Sequence, residues 1–286
     1  MAGGLTHVAV EVHGHRGARG LRPENTLPGF AHALELGVDV IELDVGMSAD
    51  GVVVLNHDQA LSPVNLTDTA PAQPGDPAFP YVGKPVRELT LAQLRTVDAG
   101  ARRHEAFTQT PVPGARIPTL AEACALLAPT DVELAVELKT DPGWPAGDVE
   151  RLTAAVAGVL ASAGLTRRSR LLAFDWRVLA EARRRHPEFT RVALIERKTL
   201  VPDTPWLAGL PPDDPVSAAA EMGAAVLSPE HAITTPGLVD RAHAQGLQVA
   251  VWTVNTHEDM ARFIKYGTDA LVTDYPDRLH AVLAAR

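Results

Sequence analysis

The chain has 286 residues, of which 46% are hydrophobic and 21% charged, and a chain of this size buries roughly 75% of its unfolded surface without a disulfide or zinc staple. Its net charge of −9 excludes the basic footprint needed for nonspecific nucleic-acid binding, and its single cysteine, Cys124, excludes an internal disulfide. No run reaches the ~18 consecutive apolar residues of a membrane span, and the N-terminal segment MAGGLTHVAVEVHGHRG lacks the pattern of a signal peptide, so a cytoplasmic protein is expected.

Short β-rich runs alternate with helical patterns, which is the signature of a parallel α/β architecture. In chain order the candidate strands are 7–13, 39–45, 52–57, 132–138, 170–174, 191–195, 224–227, 247–252 and 269–273. Between them, Thr119-x-x-Glu122 reads as a capping box, Thr235-Pro236 as a cap followed by a first-turn proline, and Thr256-x-x-Asp259 as a further helix start. Gly37, Gly164, Gly246 and Gly267 stand where helices should end. Cys124 lies in an apolar run and reads as a buried core residue.

Nine strands exceed by one the eight of a TIM barrel, and the gap between 39–45 and 52–57 is too short for a crossover helix. Asp50-Gly51 lies in that gap and signals a two-residue hairpin turn, so 52–57 is expected to fold back antiparallel on the second strand. The expectation is a single-domain (β/α)8 barrel spanning 1–286, with one extra hairpin strand and a proline-rich insertion at 58–118 over the mouth. Phe79 and Tyr81 of that insertion are candidates for shaping the entrance. A doubly wound sheet is the alternative, and the strand count favours the barrel.

Barrel strands alternate inward and outward, and functional groups gather at their C-terminal ends. Glu42 and Asp44 share one face of the second strand, Glu137 ends the strand at 132–138 beside Lys139, and Gly14-His15-Arg16-Gly17 follows the first strand. Three carboxylates aimed into one mouth repel unless a cation or protons compensate, and an all-oxygen set suits Mg²⁺, Ca²⁺ or Mn²⁺ better than zinc. With Asp50-Gly51 as the two central turn residues, Asp44 should lie opposite His57, which brings a second histidine to the acidic cluster. Glu24 is placed to pair with Arg16.

The ordered string His15-Arg16-Gly17, Pro23-Glu24-Asn25-Thr26, Glu42-x-Asp44, Asp50-Gly51, His57-Asp58, Glu137-Leu138-Lys139, Val251-Trp252-Thr253-Val254-Asn255 and Thr273-Asp274-Tyr275-Pro276 resembles the glycerophosphodiester phosphodiesterase family over nearly the whole chain. The resemblance implies a TIM barrel that hydrolyses small glycerophosphodiesters to an alcohol and glycerol 3-phosphate, as a monomer or small homo-oligomer. Carried over by motif, His15 and His57 are the acid–base pair, while Glu42, Asp44 and Glu137 hold one divalent cation. Arg16 and Lys139 meet the phosphate, and Trp252 and Phe174 line the pocket. The resemblance further implies that the glycerol hydroxyl attacks first, giving a cyclic phosphate that water opens. The chain departs from the family pattern at Ala173-Phe174, where Ser-Phe is usual, and after His57-Asp58, where Leu61–Thr67 lacks an Arg-Thr-Thr run.

Rival readings fit less of the chain. His13-x-His15, Lys139 and Asp274 imitate an amidohydrolase barrel, but Phe174-Asp175 and Ile195-Glu196 supply no further histidine. No G-x-S-x-G elbow, dinucleotide fingerprint or P-loop is present. A phospholipase-D-like relative acting on lysolipids and a non-catalytic phosphodiester-binding barrel remain the alternatives.

Overall fold

A computed structural model describes residues 10–286. Strand β1 (Glu11–Gly14) is followed by β2 (Val40–Met47), β3 (Val53–Leu55), β4 (Glu133–Leu138), β5 (Ser169–Ala173), β6 (Thr190–Ile195), β7 (Val226–Pro229), β8 (Gln248–Val251) and β9 (Ala270–Thr273). The expected first strand began at residue 7, and its opening residues lie outside those described. All strands except β3 pair in parallel, and β1 closes the ring by bonding to both β9 and β2. The fold is therefore an eight-stranded parallel barrel with helices between its strands and β3 bonded outside the ring.

The caps form where the sequence places them. Thr119 accepts from the Glu122 N–H and Glu122 reciprocates to the Thr119 N–H at 2.8 Å, opening helix Leu120–Leu127. Thr235 and Thr256 cap helices Pro236–Ala244 and His257–Lys265. Gly37 ends helix Leu27–Leu36 in the left-handed region (φ 76°), where a side chain would be strained. No helix among the described residues is long and apolar enough to cross a membrane.

Alternation along the strands sorts the interior into layers. Odd positions of β2, Ile41, Leu43 and Val45, join the helices in the main core, whereas Val40, Ala135, Leu172, Val192, Leu194, Val226, Ala250 and Ala270 fill the barrel itself. Below them Arg170 clamps Glu11 and Glu133 at the N-terminal end of the barrel. Between β3 and helix Leu120–Leu127, Leu61, Leu66, Tyr81, Val86, Leu94 and Ile117 build a small separate core against Val54. Tyr81 is fully buried there with Phe79 edge-on at 5.3 Å, and neither residue lines the main cavity, contrary to the expectation that they shape the entrance.

The hairpin corrects the expected register. Val45 pairs with Leu55, and the Asn56 N–H donates to the Asp44 carbonyl (3.2 Å), so Asp44 faces Asn56 rather than His57. The cause is the Ser48 side chain. Its hydroxyl donates to Asp50 Oδ1 (2.7 Å) and accepts from the Val52 N–H (2.9 Å), which stretches the turn to Ala49-Asp50-Gly51 with Gly51 at φ 82°. His57 nevertheless reaches the mouth, because the ladder stops at Leu55 and the chain bends at His57-Asp58. Since Val45 already pairs with Leu138 of β4, β3 occupies the β1 edge of β2, above the point where β1 ends.

Candidate active site

The inward-facing positions of β2 and β4 carry the polar residues upward from the packed layers. Glu42, Asp44 and Glu137 are buried, and one carboxylate oxygen from each lies within 4.8 Å of the others. Arg16, held at φ 50° in the turn after β1, donates its main-chain N–H to Glu42 Oε2 at 2.9 Å. Its guanidinium pairs with Glu24 Oε1 (2.9 Å) and approaches Asp44 Oδ2 at 3.3 Å, so the expected Arg16–Glu24 pair forms. Asn25 grips Asp44 twice, donating to Oδ2 at 2.9 Å and accepting the Asp44 N–H at 3.1 Å. Lys139 Nζ lies 2.6 Å from Glu137 Oε1 and 3.5 Å from Asp44 Oδ1.

The electrostatics follow from burial and neighbours. Burial raises the Glu42 carboxyl well above its ordinary range, and the charges of Asp44 and Glu137 raise it further. Glu137 is also raised by burial, against the opposing pull of Lys139. Burial pushes Asp44 the same way, but the cationic charges of Lys139, His57 and Arg16 outweigh it and hold this carboxyl below its usual range. Asp44 Oδ1 is buried without a hydrogen-bond donor. Three convergent carboxylates, two of them hard to ionise and one with an unserved oxygen, fit a hard divalent cation.

His15 lies beside this cluster, its Nε2 3.9 Å from Glu42 Oε2 and its Nδ1 2.7 Å from Asp274 Oδ1. Burial lowers its pKa to about 4, partly opposed by the Asp274 charge, so its imidazole is neutral at pH 7. His57 Nδ1 meets Asp58 Oδ1 at 2.7 Å. A cavity of about 450 Å³ is lined by His15, Arg16, Glu42, His57, Glu137 and Lys139 together with an apolar set, Leu172, Phe174, Leu194, Trp206, Trp252 and Val272. Phe174 and Trp252 meet edge-on at 5.4 Å, and the indole N–H of Trp252 donates to the Ser228 carbonyl at 3.0 Å.

His15, Arg16, Glu42, His57, Glu137, Lys139, Phe174 and Trp252 thus gather at one mouth, with Asp44 beneath the cavity floor rather than on it, whereas Phe79 and Tyr81 lie elsewhere. Sequence reasoning gave no site role to Asp274, Arg19, Asn25, Glu196 or Trp206. A signal existed for Asp274 and Glu196, since each extends the inward alternation of its strand by one step beyond Val272 and Leu194. Arg19 comes from a turn and Trp206 from the short 3-10 helix Pro205–Leu207, and neither carries such a signal.

Fold and cavity together define a TIM-barrel enzyme with an acidic, cation-type centre flanked by two histidines. The family model described as the glycerophosphoryl diester phosphodiesterase family matches residues 15–278, and the chain belongs to that family of phosphoric diester hydrolases. A glycerophosphodiester phosphodiesterase of Caldanaerobacter subterraneus subsp. tengcongensis is 31% identical over 265 residues, covering 93% of this chain and 94% of that protein. A crystal structure from Silicibacter pomeroyi, provisionally named a glycerophosphoryl diester phosphodiesterase, superposes with a TM-score of 0.85 at 34% identity, covering 96% of this chain and 93% of that one. An Oleispira antarctica phosphodiesterase solved with the product sn-glycerol-3-phosphate gives 0.75 at 25% identity, covering 96% of each chain.

Proposed function

We propose that this chain is a divalent-cation-dependent glycerophosphodiester phosphodiesterase that works with His15 and His57 as its acid–base pair. The observation that carries the reading is the convergence of the buried Glu42–Asp44–Glu137 set and both histidines on one cavity. Residues 58–118 are read as an insertion within one catalytic domain, the arrangement that delivers His57 to the barrel mouth.

Glu42, Asp44 and Glu137 would hold the cation. When bound, it supplies positive charge to the non-bridging phosphoryl oxygens. Arg16 and Lys139, both on the cavity, add fixed positive charge at the same phosphoryl group as its negative charge grows in the transition state. One histidine takes the proton of the attacking hydroxyl as its oxygen bonds to phosphorus. The other gives a proton to the departing alcohol oxygen as its bond to phosphorus breaks. Trp252, braced by Ser228 and Phe174, forms the apolar side that seats the carbon skeleton of the substrate.

The deciding experiment is a panel of glycerophosphocholine, glycerophosphoethanolamine, glycerophosphoinositol and a lysolipid, each assayed for release of glycerol 3-phosphate or lysophosphatidate with Mg²⁺, Ca²⁺, Mn²⁺ or chelator. Cation-dependent glycerol 3-phosphate release is expected. Absence of hydrolysis for every diester under every cation overturns the reading, and selective cleavage of the lysolipid replaces it with a lysophospholipase-D activity.

A further inference from the structure

Asp274 and His15 lie 259 positions apart in the chain and meet where β9 and β1 close the barrel. The Asp274 side chain is fully buried, yet it accepts three hydrogen bonds from N–H groups, Arg19 Nε (2.8 Å), Arg19 Nη2 (3.0 Å) and Asn255 Nδ2 (2.7 Å), and its Oδ1 also lies 2.7 Å from His15 Nδ1. Asn255 cannot present its oxygen instead, because that oxygen already accepts the Asp274 N–H (3.0 Å) and lies 3.3 Å from the Thr273 hydroxyl. Arg19 is steadied from behind by the Phe107 ring, 4.6 Å from its guanidinium carbon.

A carboxylate supplied with this many donors stays ionised, and an ionised carboxylate can only accept. The hydrogen on the His15–Asp274 contact must then sit on Nδ1. Nε2 is left with its lone pair on the cavity side, 3.9 Å from Glu42 Oε2. We infer that Asp274 is a positioning residue that fixes His15 in the Nδ1–H tautomer, leaving Nε2 free to face the substrate and accept a proton. The inference rests on the two-histidine reading above and names the group that orients one of the pair.

The step balances with groups already present. The attacking hydroxyl oxygen bonds to phosphorus and its proton moves to His15 Nε2, while the bond from phosphorus to the leaving oxygen breaks and His57 supplies that oxygen with a proton. Asp274 takes no proton, because Arg19 and Asn255 occupy the acceptor sites that His15 does not. The His57–Asp58 pair differs in kind: its carboxylate is adjacent in sequence, half exposed and without an arginine fork, so it does not lock a tautomer in the same way.

A role limited to pinning β1 against β9 would change stability and nothing at the imidazole. The test therefore reads the imidazole directly, by ¹⁵N NMR of the full chain labelled at histidine, alongside kcat and KM for glycerophosphocholine with Mg²⁺. The parent should show His15 as the Nδ1–H tautomer. Asp274→Asn should mix the tautomers, lower kcat about 10²-fold and leave KM within about 3-fold, with the His57 signals in place. An Nε2–H tautomer in an active parent overturns this inference and spares the functional reading. A folded Asp274→Asn enzyme with near-parental kcat does the same. Should that variant fail to fold, the tautomer of the parent decides alone. A parent inactive on every diester overturns the functional reading, and with it this step.

Discussion

Glu42 is the member of the acidic set whose charge is worst compensated. Glu137 has Lys139 at 2.6 Å, and Asp44 has Arg16 at 3.3 Å and Lys139 at 3.5 Å. Among the described residues Glu42 has no lysine or arginine side chain within 4 Å, only the Arg16 main-chain N–H at 2.9 Å. Like charges no more than 4.8 Å apart repel by roughly 3.5 kcal/mol or more per pair at an effective dielectric near 20, before the neighbouring cations offset part of it. Protonation caps the cost: holding Glu42 neutral at pH 7 against an ordinary value of 4.5 requires about 3.4 kcal/mol. The raised pKa means that Glu42 weighs nothing against the fold below pH 4.5 and costs progressively more as pH rises toward its folded value. Glu42→Gln, which keeps the acceptor for Arg16, should therefore stabilise the metal-free protein by about 1–3 kcal/mol at pH 7, a Tm gain of several degrees. The gain should vanish near pH 4. A cation at about 100 times its Kd should add about 2.7 kcal/mol to the parent and far less to the variant. Thermal unfolding in chelator and in saturating Mg²⁺ or Ca²⁺, at both pH values, reads all of this. The charge argument is refuted if Glu42→Gln is no more stable than the parent in chelator at pH 7, or if both gain equally from the cation.

His15→Ala and His57→Ala should each lower turnover at least ~10²-fold while circular dichroism and Tm stay close to the parent, and near-parental activity in either removes that residue from the chemistry. Lys139→Met removes the ammonium that competes for Glu137 and Asp44, so calorimetric cation affinity should rise about 10-fold while kcat falls about 10²-fold. Weaker cation binding in this variant would show that Lys139 organises the carboxylates rather than competing with a cation.

The layer structure of the barrel was legible because a period of two is written locally. Glu42, Asp44 and Glu137 could be assigned to one mouth from their neighbours Ile41, Leu43 and Leu138 alone. The hairpin was legible as a hairpin and not in its register. Asp50-Gly51 marks a tight turn, but the Ser48 hydroxyl captures both Asp50 and the Val52 N–H and adds a residue to the loop. His57 reached the site because pairing ends before it, so the face rule that argued for its placement does not act on it. Arg19 shows the opposite limit. Its value lies in a fork to Asp274 more than 250 positions away, and nothing in the local sequence distinguishes it from a solvated arginine.

The two histidines share an architecture that neither motif reveals alone. Each turns Nδ1 to a carboxylate at 2.7 Å and lines the cavity, one from the barrel ring and one from the chain beyond β3. Their surroundings are unequal. Asp274 is buried and already answered by Arg19 and Asn255, so it has little surplus charge to offer an imidazolium; burial dominates, and His15 is neutral. Asp58 is half exposed with no such fork, and its carboxyl is held low chiefly by the hydrogen bond to His57. The second histidine comes in from outside the ring, so the cavity sets a buried imidazole beside a more exposed one.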